Sequence, residues 1–235
     1  VSVLYWSSEP RALPTARMNI FRLCGDMLHL VAILILLGKM LRHRTAAGIS
    51  LKTQFLYAVV FTTRYVDLFT SYISLYNTLM KLFFLATSYH ICFLMRSKNP
   101  WRATYDKEND SFRIRYLIIP CALLALVFHR QSVHEVREVL WTFSEYLEAV
   151  AVLPQIFLLE YTERYDALTS HYLFALGAYR VFYIFNWIYR YATEGTVLWV
   201  SVVAGVLQSL LYVDFFYHYV KQVVRRAKNK YDLAH

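Results

Sequence analysis

The chain is 235 residues long, 58% hydrophobic and 17% charged, with 20 Tyr but only 6 Gly and 5 Pro. That composition excludes a disordered, collagen-like or low-complexity chain. A net charge of +9 would suit nucleic acid if Lys and Arg shared one solvated face, but here they occupy short segments between long apolar blocks. The chain reads as an all-α polytopic membrane protein with the lipid bilayer as its solvent and no nucleic-acid partner.

Residues 1–17, polar and carrying Pro10 and Pro14, are expected to be an N-terminal extension outside the fold. Apolar blocks follow at about 20–40, 55–73, 79–95, 117–128, 140–159, 172–191 and 198–220. Only 117–128, which contains Pro120, falls short of the roughly 17 to 25 residues that a spanning helix needs. Counting it as a span puts Lys39, Arg42, Arg44, Lys52, the basic residues of 96–115, Arg164 and those of 221–230 on one side. Omitting it splits that set. The positive-inside rule therefore predicts seven transmembrane helices over 18–220, a luminal N-terminus and a basic cytosolic tail over 221–235. Cys24, Cys92 and Cys121 lie in or beside apolar blocks and are expected to be free thiols.

The acidic residue and V-A-x-L core of Asp26-Met-Leu-His29-Leu-Val-Ala-Ile-Leu recur in Glu145-Tyr-Leu-Glu148-Ala-Val-Ala-Val-Leu, and a slightly shorter shift sets Arg64 against Arg180. Pro154-Gln155 falls at the matching place in the fifth block. Two parallel three-helix halves joined by the fourth helix give a SWEET/PQ-loop-like 3+1+3 architecture.

Arg22, Arg64, Arg180 and Arg190 lie in or at the ends of spans, with acidic Asp26, Asp67, Glu145, Glu148 and Asp214. A charge at the bilayer centre costs about 2.5 to 3.5 kcal/mol even on the lenient insertion scale, so these groups should pair or line a wet cavity. Glu138, Trp141, Glu145 and Glu148 share one helical face, as do Tyr179, Tyr183, Asn186 and Arg190, and as do Arg22, Asp26 and His29. The arginines form a ladder descending from the luminal mouth, with Arg64 and Arg180 deep. Guanidinium forks suit carboxylates, while Asp67 and Glu138 are candidates to receive a cation. Trp141 and Trp187 suit either the cavity wall or the interfacial belt.

No catalytic residue set, metal-ligand spacing or cofactor motif is present, so the chain is not expected to be an enzyme or to carry a metal or cofactor. On architecture alone, a small-molecule transporter of an amino acid, sugar or organic anion competes with a peptide receptor.

From Met18 to Lys221 the chain closely resembles the KDEL receptor family, the ER lumen protein-retaining receptors. The resemblance is carried by Met18-Asn-Ile-Phe-Arg-Leu, Ala47-Gly-Ile-Ser, Val60-Phe-Thr-Thr-Arg-Tyr-Val-Asp, Leu140-Trp-Thr-Phe-Ser, Val152-Leu-Pro-Gln, Asn186-Trp-Ile-Tyr-Arg and Asp214-Phe-Phe-Tyr. It implies a receptor that binds C-terminal KDEL/HDEL-type signals of escaped ER luminal proteins in the mildly acidic Golgi and returns them to the endoplasmic reticulum in COPI vesicles. It further implies ligand contacts at Arg22, Arg64, Tyr65, Asp67, Glu138, Trp141, Trp187 and Arg190. A pH relay falls on His29, Glu148, Tyr179 and Arg180, and retrieval on Asp214. The tail departs from the family pattern: Lys228-Asn-Lys230 stands where adjacent lysines and a Ser are usual.

Overall fold

A computed structural model describes residues 19–70, 72–129, 136–162, 167–195 and 199–232, with backbone alone at 69, 167–170, 218–219 and 222–232. The N-terminal extension and the side chains of Lys228 and Lys230 lie outside this set. The described residues are helical, without strands: α1 Ile20–His43, α2 Leu51–Arg64, α3 Leu75–Ser97, α4 Trp101–Thr104, α5 Arg115–Val127, α6 Val136–Val150, α7 Leu153–Thr162, α8 Ala167–Glu194 and α9 Trp199–Asp232.

Side-chain caps start the first three long helices. Asn19 accepts from the Arg22 amide, Ser50 from that of Thr53 and Ser74 from that of Asn77, each supplying an acceptor to one of the amides a helix leaves open. Arg44 and Gly195, both at positive φ, follow the last residues of α1 and α8.

Two expected spans are remodelled. The 55–73 block is not one helix: α2 ends at Arg64 and a 3-10 turn, Val66–Phe69, carries the chain aside. Thr62 and Thr63 turn their hydroxyls back onto the carbonyls of Ala58 and Val59, which weakens the last helical turn, and Asp67 is drawn away to Lys81. The 140–159 block is broken at Ala151–Val152 because Pro154 lacks an amide hydrogen and its ring would press on the carbonyl four residues back.

Among the described residues, four stretches are long and apolar enough to cross a membrane: Ile20–His43, Leu75–Ser97, Val136–Thr162 and Trp199–Tyr217. Of the remaining blocks, α2 has 14 residues and α5 has 13, whereas α8 has 28 but carries Arg180 and Arg190. Leu34, Phe93, Leu123, Phe174, Phe185 and Leu210 are exposed on the outside of the bundle, as a lipid-facing surface requires. The core inside is aromatic and small together, with Phe61, Phe84, Tyr179, Tyr183 and Ala32 buried.

Packing is paired. α1 lies against α8 and α2 against α6; α3 follows α2 as α9 follows α8. Asn19 meets Asn186 and His29 meets Tyr179, so α1 and α8 run antiparallel. Ser50 meets Gln155 and Arg64 meets Ser144, so α2 runs antiparallel to α6 and α7. The three cysteines are free.

Candidate ligand-binding site

The last residue of α2 points into the bundle. Arg64 is buried, and its Nε donates to Ser144 Oγ at 2.9 Å while Nη1 meets Glu148 Oε2 at 2.5 Å. Its Nη2 lies 3.0 Å from Glu145 Oε1, but neither atom has a partner in hydrogen-bond geometry among the described residues. Glu148, fully buried, divides its carboxylate: Oε2 serves Arg64, and Oε1 takes Arg180 Nη2 at 2.7 Å and the Tyr179 hydroxyl at 3.0 Å. Arg180 Nε in turn donates to the Tyr179 oxygen. Two arginines and two carboxylates thus neutralise one another across α2, α6 and α8. The helical face read from 138, 141, 145 and 148 is real, since Glu138, Glu145 and Glu148 are buried and Trp141 half-buried on α6.

His29 stands beside this cluster. Its ring stacks on Tyr179 at 4.4 Å and 7° and touches Phe84 and Phe61. Glu148, Arg180 and Arg64 all act on it electrostatically. The ring borders a cavity of about 20 Å³ with a largely apolar wall, in which Ile33, Leu36, Ile91 and Leu176 stand beside Gln54 and Tyr57.

Toward the N-terminus of α1, Asp26 is buried and accepts from the hydroxyls of Tyr183 and Tyr76. Half-buried Arg22 acts on it from one turn away. Arg190 pairs with Glu194 on α8 at 2.8 Å, partly exposed. Trp187 is buried and stacks on Tyr183, and its ring fits only because residue 205 is glycine: a Cβ there would lie inside the indole. Tyr65, buried, closes α2 and stacks on Phe61.

Asp67, in the 3-10 turn, and Glu138, on α6, are both buried. Asp67 Oδ2 takes Lys81 Nζ at 2.6 Å, whereas Oδ1 is buried without a hydrogen bond among the described residues. Lys81, which sequence reasoning did not single out for the site, lies in α3 with 1% exposure. Ser144 was likewise missed. Its signal is weak, a hydroxyl one position from Glu145 on a face otherwise defined by charge. Asp214 is exposed on α9.

The opposite end of α2 is held by hydrogen bonds without an arginine. Gln155 Oε1 accepts from Ser50 N at 2.8 Å and its amide donates to Gly48 O at 2.8 Å, while Gln155 N donates to Thr53 Oγ1. Asp110 gathers Ser50 Oγ, Lys52 N and the Tyr105 hydroxyl.

Residues 45–190, spanning this latch, the charged cluster and Arg190, match the family model described as ER lumen protein retaining receptor. The chain is 54% identical over 211 residues to the ER lumen protein-retaining receptor of Drosophila melanogaster, covering 90% of this chain and 98% of that one. The chain belongs to the ER lumen protein-retaining receptor family. Relatives from Petunia hybrida, 56% identical over 86% of this chain and 94% of theirs, and from Arabidopsis thaliana, 55% identical over the same shares, carry that family name as well. The chain is therefore a membrane-helix protein of a receptor family, not of an enzyme family.

Proposed function

We propose that this receptor is a pH-dependent reader of C-terminal KDEL/HDEL-type signals, taking them up in the Golgi and returning them to the endoplasmic reticulum through the COPI coat. Residues 18–220 form a seven-helix domain in this reading, with the N-terminus luminal and 221–235 a cytosolic tail in which Lys228, Lys230 and the nearby Asp214 serve retrieval. The pairwise packing of α1 with α8 and α2 with α6 supports the 3+1+3 repeat.

The observation that carries the reading is the unfilled hydrogen-bonding capacity of buried charges at one end of the bundle. Arg64 Nη2 is a donor, and Asp67 Oδ1 an acceptor, without a hydrogen bond among the described residues. A peptide that ends in a carboxylate and carries a cation three residues earlier offers both complements. Arg22, Arg190, Tyr65, Glu138, Trp141 and Trp187 complete the ligand wall in this reading, and His29, Glu148, Tyr179 and Arg180 form the relay. A transporter of an amino acid, sugar or organic anion with the same architecture is the poorer fit, because the relatives over most of the chain are named as ER lumen protein-retaining receptors.

Purified receptor titrated with a short peptide ending in Lys-Asp-Glu-Leu should bind at pH 5.5 and not at pH 7.5, and the same peptide amidated at its C-terminus should fail at both. His29→Ala should weaken binding at acid pH and flatten the profile. Equal binding of acid and amide would end the carboxylate reading.

A further inference from the structure

Arg64 has more carboxylate than it can use well. Glu148 meets it in hydrogen-bond geometry at 2.5 Å and is itself fixed from three sides by Arg64, Arg180 and Tyr179. Glu145, one turn earlier on α6, comes within 3.0 Å of Nη2 by charge attraction without a well-formed bond. Its Oε1 is buried and has no other hydrogen bond among the described residues. The side chain sits where a ligand carboxylate would need to sit to fill Nη2.

Charge makes the arrangement consequential. Arg64, Arg180, Glu145 and Glu148 sum to zero, with every side chain at 4% exposure or less. Adding a ligand carboxylate to a neutral buried quartet leaves an excess anion where water cannot compensate it. If the ligand replaces Glu145 at Nη2, the guanidinium gains a good fork partner, but Glu145 must find another environment.

We propose that Glu145 is an internal competitor for the ligand's carboxylate: it fills Arg64 in the empty receptor, is displaced on binding, and sets the affinity with which the site accepts a peptide C-terminus. The inference rests on the reading of Arg64 as a carboxylate site and goes beyond it, because it assigns to Glu145 a role opposite in sign to that of the ligand contacts. Glu145 is a specificity-determining residue here. Only a carboxylate held by further contacts along the ladder outcompetes one already tethered to the protein.

The test is a titration of wild type, Glu145→Gln and Glu145→Asp with the Lys-Asp-Glu-Leu-ending peptide and its amide at pH 5.5, with thermal melting of each receptor with and without peptide. Glu145→Gln keeps the shape and removes the charge. It should tighten binding of the acid about tenfold, the worth of one charge-assisted hydrogen bond recovered, and leave the amide unbound. Peptide-free Glu145→Gln should melt lower than wild type and recover more on peptide addition. Glu145→Asp, with its carboxylate drawn back from Arg64, should tighten binding less and decides the matter if the Gln variant does not fold. Unchanged or weaker acid binding in a folded variant, with wild type binding normally, overturns the competitor and leaves the receptor reading intact. Failure of all three proteins to bind the acid overturns both.

Discussion

The two ends of α2 are fastened to α6 and α7 by opposite chemistries. At Ser50 and Thr53 the fastening is an amide, hydroxyls and backbone groups in mutual hydrogen bonds, with Gln155 both donating and accepting. At Arg64 it is four formal charges sharing incomplete bonds. A hydrogen-bond network with every partner supplied has nothing to gain from a new arrangement, so it fixes the register of α2. A charged network that leaves Nη2 of Arg64 unfilled gains when a better anion arrives. One helix thus carries a fixed end and an exchangeable end, 14 residues apart.

The comparison breaks first at Arg64. Arg64→Ala removes the partner of two buried carboxylates, and breaking a buried pair costs about 3 to 5 kcal/mol. The expected outcome is lost peptide binding together with a large drop in melting temperature; normal binding would mean that the exchangeable end lies elsewhere. Gln155→Leu attacks the fixed end and abandons the Ser50 amide and the Gly48 carbonyl, at about 1 to 3 kcal/mol for each buried group left unpaired. Melting should fall while the pH profile of peptide binding keeps its shape. A changed profile would show that the latch also takes part in the switching.

The smallest effect is expected from Tyr105→Phe, which removes one hydrogen bond to Asp110, worth about 1 to 2 kcal/mol. Burial, and then the bond to Asp110, push the Tyr105 phenol above its ordinary value. A raised phenol contributes stability that is complete below the unfolded value of about 10 and lost as pH climbs through the folded one. The latch contribution should therefore be flat from pH 5 to pH 8. Chemical denaturation of wild type and Tyr105→Phe across that range should give two parallel curves, whereas peptide affinity at the other end should fall steeply on the proposed reading.

The helical faces were legible because charges in an apolar block have few places to go: the 3.6 period put Glu138, Trp141, Glu145 and Glu148 on one stripe and Tyr179, Tyr183, Asn186 and Arg190 on another, and all but the half-buried Trp141 and Arg190 are buried. Arg64 and Arg180 could be called deep for the same reason. What stayed hidden depends on turns. Lys81 looks like an interfacial lysine until the 3-10 turn after Arg64 swings Asp67 onto it, and no periodicity announces that α2 stops at residue 64. Gln155 could be seen beside Pro154, but its partners lie 105 and 107 residues away. Which of Glu145 and Glu148 holds Arg64 well is a matter of angles that sequence does not encode at all.

Gly205 gives the molecule a fulcrum. Trp187 of the proposed ligand wall rests on α9 at the one residue with no side chain to hold it off, and α9 continues unbroken from there to Asp232. At 1.5 Å per residue that arm is about 40 Å long, so a tilt of about 5° at the indole displaces its far end by about 3 to 4 Å. A lever of this length turns a slight shift of one aromatic ring into a displacement larger than the shift itself at the far end of the helix.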